Sequence, residues 1–257
     1  VIKVIHIKSE KEINLMRESA QVLKLVLNSL EKEIKPGITT NYLNDVAERI
    51  IKENGAIPSF KGVECPYKGG KTYTHALCLS VNDEIIHGIP SDRVLEEGDI
   101  VCVDLGVYKN GYHSDAGRTF GVGKISDVAK KLIKVAEMAF FEGIKYAKPG
   151  CRIGDISNSI ENFVLKNGFT LLEEYQGHGI GKEMHEDPGV PNMGRKGSGP
   201  RIEKGMALAI EPMICEGSNE VYVKKDKWTI ATVDKKLTSY YENTIIITEN
   251  EPEILTF

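Results

Sequence analysis

A pair of helices with matching stop signals occurs twice in this chain, and that duplication restricts the fold more than any other feature. The first apolar series runs Ile13, Met16, Ala20, Leu23, Leu27, Leu30. Its three- and four-residue spacing is the period of a helix with one buried face. Ser9 followed by Glu12 forms a capping box at its start, and Lys35-Pro36-Gly37 stops it. A second helix fits Leu43, Val46, Ala47, Ile50 and Ile51 and ends at Asn54-Gly55, a left-handed cap. The same grammar returns with Val128, Leu132, Val135 and Ala139, then a stop at Lys148-Pro149-Gly150. It closes with Ile153, Ile156, Ile160 and Val164, ending at Asn167-Gly168. Pro36 to Asn54 and Pro149 to Asn167 each span 18 residues (54 − 36 and 167 − 149), and the copies are offset by 113 (149 − 36). Matching stops at matching spacing predict a duplicated half. Folds of this kind often place a site between their halves.

Strand signals follow each helical pair. Ile100 to Val107 and Tyr112 to Phe120 flank Asn110-Gly111, a strong signal for a two-residue hairpin turn. Met206 to Cys215 and Tyr240 to Thr248 are the strands of the second half, and the Gly-, Arg- and Lys-rich stretch 194–205 reads as an exposed loop. The expectation is one α+β domain spanning 1–257, with halves at about 9–122 and 123–250.

Composition narrows the class. A net charge of −4 argues against nucleic-acid binding, which needs a basic excess. No run of about 18 apolar residues is present to span a bilayer. Val1 to Glu10 mixes Lys, His and Glu with apolar residues and does not read as a secretory signal. Cys65, Cys78, Cys102, Cys151 and Cys215 are odd in number and contain no CxxC pair, as expected for reduced thiols in the cytoplasm.

Acidic residues within apolar strands are the chemical clue. Asp104 sits in IVCVDLGV, Glu211 in MALAIEPMI, and Glu242 in YYENTIIIT. A buried lone carboxylate needs a cation, a hydrogen-bond network or a proton. Any one of them could be a salt-bridged or strand-end acid, but the hairpin makes that reading less natural. With a two-residue turn, cross-strand partners sum to 221, so Gly106 faces Asp115 and Asp104 faces Gly117. Alternation then puts Asp104 and Asp115 on one face, diagonal neighbours about 7–8 Å apart at Cα. Two like charges there repel unless a cation lies between them. GHGIGKEMHEDP supplies His178 and His185, presented by glycines that suit a loop or strand end. Two further patterns carry less. His113-x-Asp115 is part of an iron facial triad but has no nearby second histidine, and GHGIGK lacks the spacing and trailing Ser or Thr of a phosphate loop.

Taken together, VDLG, Asp115, GHGIG, HEDP, IEPM and YENT, with IIHGIP around His87 and the KDKWT segment around Trp228, resemble the type I methionine aminopeptidases. The resemblance runs from about residue 9 to the C-terminus. It implies the pseudo-twofold α+β architecture called the pita-bread (creatinase/aminopeptidase) fold. It also implies a two-metal centre of Asp104, Asp115, His178, Glu211 and Glu242, with Asp115 and Glu242 bridging the ions. Such an oxygen-rich set suits Mn, Fe(II) or Co, with Zn also open. The resemblance makes Glu211 the general base, His185 the group that polarises the carbonyl, and His87 a contact to the substrate amide. Tyr73, Cys78, Met184 and Trp228 match the methionine pocket. For Cys78 and Met184, plain core packing is an equal alternative. The implied substrate is the N-terminus of a nascent polypeptide with a small second residue. The implied setting is a cytoplasmic monomer working near the ribosome.

The stretch Phe60 to Thr74 departs from the family pattern by being longer, and Lys71 and His75 both stand where a pocket histidine is often found. Only 26 residues (211 − 185) separate His185 from Glu211, too few for the insertion of type II enzymes. The absence of a zinc-finger extension before residue 9 fits a bacterial or organellar enzyme. X-Pro aminopeptidases and prolidases share the fold and ligand set but usually carry a large N-terminal domain. A non-catalytic peptide-binding relative would be expected to have lost ligands, and all five are present.

Overall fold

Ser9 starts the first helix by a reciprocal exchange. Its hydroxyl accepts from the Glu12 N–H at 3.4 Å, and the Glu12 carboxylate accepts from the Ser9 N–H at 2.8 Å. The computed structural model describes residues 4–257, so the first three residues of the Val1–Glu10 stretch lie outside the described residues. Helices α1 (Glu10–Glu33) and α2 (Thr40–Glu53) form the first pair, α3 (Asp127–Ile144) and α4 (Ile153–Lys166) the second. Helix α2 begins at Thr40 and α4 at Ile153, 113 residues on (153 − 40), and the short strands that follow begin at Ile57 and Thr170, again 113 apart (170 − 57). The repeat read from the stop signals is therefore a repeat of structure.

The strands Ile100–Lys109 and Tyr112–Gly121 form the hairpin around Asn110-Gly111, with Asp104 opposite Gly117 and Gly106 opposite Asp115. On its other edge the first of these strands pairs with Ile57–Pro58 and Cys78–Val81, which sets Cys78 beside Asp104. In the second half a five-stranded antiparallel sheet runs Glu253–Ile254, Asn243–Ile246, Ala207–Ile210, Gln176–Gly179, Glu186–Pro191. The halves join where the hairpin meets the C-terminal strand: the Glu242 N–H donates to the Gly117 carbonyl at 2.9 Å. Alongside, the Thr244 hydroxyl donates to the Asp115 carbonyl and accepts from the Asp115 N–H, both at 2.9 Å.

Alternation decides which way the acids point. Val101, Val103, Leu105 and Val107 pack under α1 and α2, in a core with Leu23, Leu27, Leu30, Leu43 and Ile51. Leu208, Ile210, Ile214, Ile245 and Ile247 pack under α3 and α4 in a second core. The helices thus cover one face of each half, and Asp104 and Asp115, at the intervening positions, face away from them into the centre.

Two strands expected to be continuous are broken, and both break at an acid. Met206–Cys215 divides into Ala207–Ile210 and Met213–Cys215, and Tyr240–Thr248 into Thr238–Tyr240 and Asn243–Ile246. Ala207–Ile210 pairs with Asn243–Ile246, whereas Met213–Cys215 pairs with Thr238–Tyr240 in a different sheet. The two strands switch sheets together, and Glu211 and Glu242 sit at that corner. Pro212, which lacks an N–H for the ladder, marks one break.

Gly117 illustrates how closely the seam is packed. A Cβ built there would lie 2.0 Å from the Tyr240 ring. Gly117→Ala is expected to destabilise the protein by about 1–3 kcal/mol through overpacking. Urea unfolding measures it, and an unchanged midpoint would show that the ring moves aside freely.

Candidate active site

Five side chains converge on the central face: Asp104, Asp115, His178, Glu211 and Glu242, between 0% and 8% exposed. The hairpin supplies the first two, the Gln176–Gly179 strand His178, and the paired strand breaks the two glutamates. His178 Nδ1–H donates to the Gly179 carbonyl at 2.8 Å, which leaves Nε2 as the free lone pair. That nitrogen stands 3.7 Å from Asp115 Oδ2 and 3.7 Å from Glu211 Oε1. Burial, with a lesser contribution from His185, brings His178 down to about 3, so it is a neutral donor rather than a cation that could balance the acids.

The carboxylates are under strain of charge. Burial first, and then the Glu242 charge, push Asp104, Asp115 and Glu211 well above the usual carboxylate range. Glu242 itself is raised to about 7 by burial, against the pull of the Tyr240 hydroxyl and Arg118. Tyr240 O–H lies 2.6 Å from Glu242 Oε2 and 3.2 Å from Glu211 Oε2. It does not reach the remaining oxygens: Asp104 Oδ1, Asp115 Oδ1 and Glu242 Oε1 are buried with no hydrogen-bond partner. Buried polar atoms are rarely left so, and these three belong to carboxylates that crowd one another. One donor atom each from Asp115, His178 and Glu242 lies within 4.8 Å of the other two. Oxygen donors with one imidazole, orphaned together, fit a divalent cation.

This polar end opens into a cavity of about 160 Å³ whose other walls are Phe60, Val63, Tyr73, Cys78, Met184 and Trp228. Tyr73 and Trp228 meet edge to face with centroids 5.0 Å apart. Their polar atoms are satisfied elsewhere: Tyr73 O–H donates to the Leu77 carbonyl at 2.9 Å, and Trp228 Nε1–H to the Lys71 carbonyl at 2.8 Å. What they present to the cavity is ring surface. His87 and His185 line its boundary. His87 has φ 58° and stands edge-on to Trp228 and Tyr175, at 6.4 and 5.8 Å. Burial, then the nearby His185, lowers His87 to about 4; burial also lowers His185, whose ring lies 4.4 Å from that of His178.

All four residues matched to the methionine pocket line this cavity, but neither Lys71 nor His75 does. His75 packs against Tyr73 at 5.9 Å, and both border a separate hollow beyond the Tyr73–Trp228 pair. Besides Tyr73, the long 60–74 segment contributes Phe60 and Val63 instead. His113 turns to the Ser59 hydroxyl at 2.9 Å and the Tyr108 ring, away from a facial triad. The glycines facing Asp104 and Asp115 leave room for side chains: a Cβ on Gly117 would meet Tyr240, and one on Gly106 would meet Met184 Cε at 2.8 Å. Tyr240 is the participant that sequence reasoning missed. Its one sequence signal was its place two residues before Glu242, on the same strand candidate.

The model of metallopeptidase family M24 matches residues 14–249. A methionine aminopeptidase of Clostridium perfringens is 49% identical over 98% of this chain and 99% of its own length, and methionine aminopeptidase 1 of Bacillus subtilis is 47% identical over 97% and 98%. The crystal structure of the Thermotoga maritima methionine aminopeptidase superposes with a TM-score of 0.93 at 42% identity, covering 98% of this chain and 99% of that one. Prolidase from Pyrococcus furiosus shares the fold, with a TM-score of 0.78 at 24% identity, covering 98% of this chain but 65% of the prolidase. The architecture is the pita-bread fold. With that fold, a buried donor set that fits a cation, and relatives matched along nearly their whole length, this chain belongs to metallopeptidase family M24, among its methionine aminopeptidases.

Proposed function

We propose that this chain is a metal-dependent aminopeptidase that removes the N-terminal methionine from polypeptides whose second residue is small. The observation that carries the reading is one cavity with two ends: an acidic end where Asp104 and Asp115 each bear an orphaned oxygen, and an apolar end walled by Tyr73, Cys78, Met184 and Trp228. Asp104, Asp115, His178, Glu211 and Glu242 would hold two divalent ions (Mn, Fe(II), Co or Zn). Bound there, the metal would supply Lewis acidity to a water and to the scissile carbonyl.

The chain's own residues do the rest. Glu211 takes the proton from the attacking water, and Tyr240 holds its Oε2 in place. His185 donates to the carbonyl oxygen as charge develops there, which an imidazole at the cavity wall is placed to do. His87 contacts the substrate amide. Phe60, Val63, Tyr73, Cys78, Met184 and Trp228 enclose the methionine side chain, whose thioether packs well on aromatic edges. Residues 1–257 act as one catalytic domain, as a cytoplasmic monomer on nascent chains near the ribosome. No helix among the described residues is long and apolar enough to cross a membrane.

Release of methionine from Met-Ala-Ser, with Ala-Pro-Ser left intact, is the expected outcome in a peptide assay. Cleavage of the proline peptide instead would make the chain a prolidase-type enzyme. His87→Ala is expected to lower kcat by about 10²-fold or more while the metal content stays that of the unaltered protein. Loss of metal in that variant, read by elemental analysis, would make His87 a ligand.

A further inference from the structure

Lys8, in the segment before α1, is 7% exposed, and its ammonium donates to Glu186 Oε2 at 2.6 Å and to the His6 carbonyl at 3.1 Å. The two side chains of this pair are 4% and 7% exposed. The second oxygen of Glu186 accepts from the Glu183 N–H at 3.2 Å. One carboxylate thus closes the segment 183–186, which carries Met184 and His185 on the cavity wall. Gly181, just before this segment, lies directly against the pair: a Cβ there would be 2.7 Å from Lys8 Cε and 2.6 Å from Glu186 Oε1.

Lys8 is itself fixed. Its N–H donates to the Gly205 carbonyl at 2.8 Å, Ile5 lies in a parallel bridge with Asp187, and the next residue is the helix cap Ser9. The turn that holds His185 has no regular secondary structure between the strands ending at Gly179 and starting at Glu186. Burying two charges offsets most of their attraction, so an ion pair at this depth is weak evidence for stability. It does fix direction: one 2.6 Å bond ties the carboxylate that closes an irregular loop to an anchored chain segment.

We propose that Lys8 is a positioning residue for the reaction, acting through Glu186 to hold His185 at the cavity wall. This inference rests on the carbonyl-polarising role assigned to His185 above. A displacement of about 1 Å in such a group can lower a rate by about 10²-fold. Lys8→Met in the metal-loaded enzyme is therefore expected to lower kcat for Met-Ala-Ser by about 10–100-fold, with KM changed less than about twofold and metal content unchanged. In a His185→Ala background the same substitution is expected to have no further effect on kcat. Should Lys8→Met fail to fold, Lys8→Met with Glu186→Gln removes both charges, keeps an acceptor for the Glu183 N–H, and carries the same test.

An equal loss of kcat in both backgrounds would make the pair merely structural and overturn the inference. So would an unchanged kcat in Lys8→Met when His185→Ala alone is impaired. If His185→Ala alone keeps full activity, the role of His185 fails first, and the inference fails with it.

Discussion

Glu211→Gln is expected to lower kcat by about 10³-fold, within the range a positioned general base contributes. Glutamine keeps the size of the side chain and keeps an oxygen that can accept from Tyr240 O–H, now 3.2 Å from Glu211 Oε2. It cannot take a proton. The substitution therefore separates base chemistry from packing at a position 8% exposed and set at the corner where two strands change sheets. Weaker metal binding is a second expected effect, since one carboxylate of the set is neutralised. The rate is accordingly compared at saturating metal, with bound metal measured in the same sample. Turnover within a few-fold of the unaltered enzyme would move the base to another of the buried acids.

The largest expected effect on stability comes from metal. At a free-ion concentration about 1,000 times Kd, binding stabilises the folded chain by about 4 kcal/mol. For a protein of this size that is about 8–16 °C in melting temperature. Asp104→Asn is expected to abolish most of that gain and to raise the melting temperature of the metal-free protein. The reason is that Asp104 Oδ1 is buried without a partner, and the amide removes one of the mutually repelling charges. The pH dependence follows the same logic. Glu242 is raised from 4.5 to about 7 in the fold, so its contribution to stability is fully present below about 4.5 and is lost as pH rises through about 7. Asp104, Asp115 and Glu211 shift in the same direction. Metal-free protein is thus expected to melt higher near pH 5 than near pH 8, with saturating metal removing the difference or reversing it. A calorimetric scan at the two pH values checks the sign. A metal-free protein more stable at pH 8 would mean that these acids are ionised without penalty.

Local rules carried the hairpin. Asn110-Gly111 fixes the turn, the turn fixes the register, and the register fixes Asp104 and Asp115 on one face. The helix pairs were legible for a similar reason, because caps and stops lie within a few residues of the elements they bound. What the sequence could not display was anything decided across the central seam. Glu211 and Glu242 stood out as acids in apolar runs, but their breaks arise because each strand pairs with a different sheet on either side of the acid. Tyr240 read as one more strand aromatic. Its role depends on Gly117, which is 123 residues earlier (240 − 117) and leaves the space its ring occupies. Lys8 and Glu186, 178 residues apart, carried no mutual signal at all. The 60–74 segment has no periodicity to read, and the structure takes Phe60 and Val63 from it along with Tyr73, while placing Lys71 and the following His75 outside the cavity.

The central claim is that the orphaned carboxylates exist to hold metal that drives methionine release. It is tested most directly by stripping the protein with a chelator and titrating Mn or Co back while following Met-Ala-Ser cleavage and bound metal together. The expected result is no cleavage in the stripped protein, with activity rising in step with bound metal until the site is full. Full activity without metal, or a filled site that releases no methionine, would contradict it.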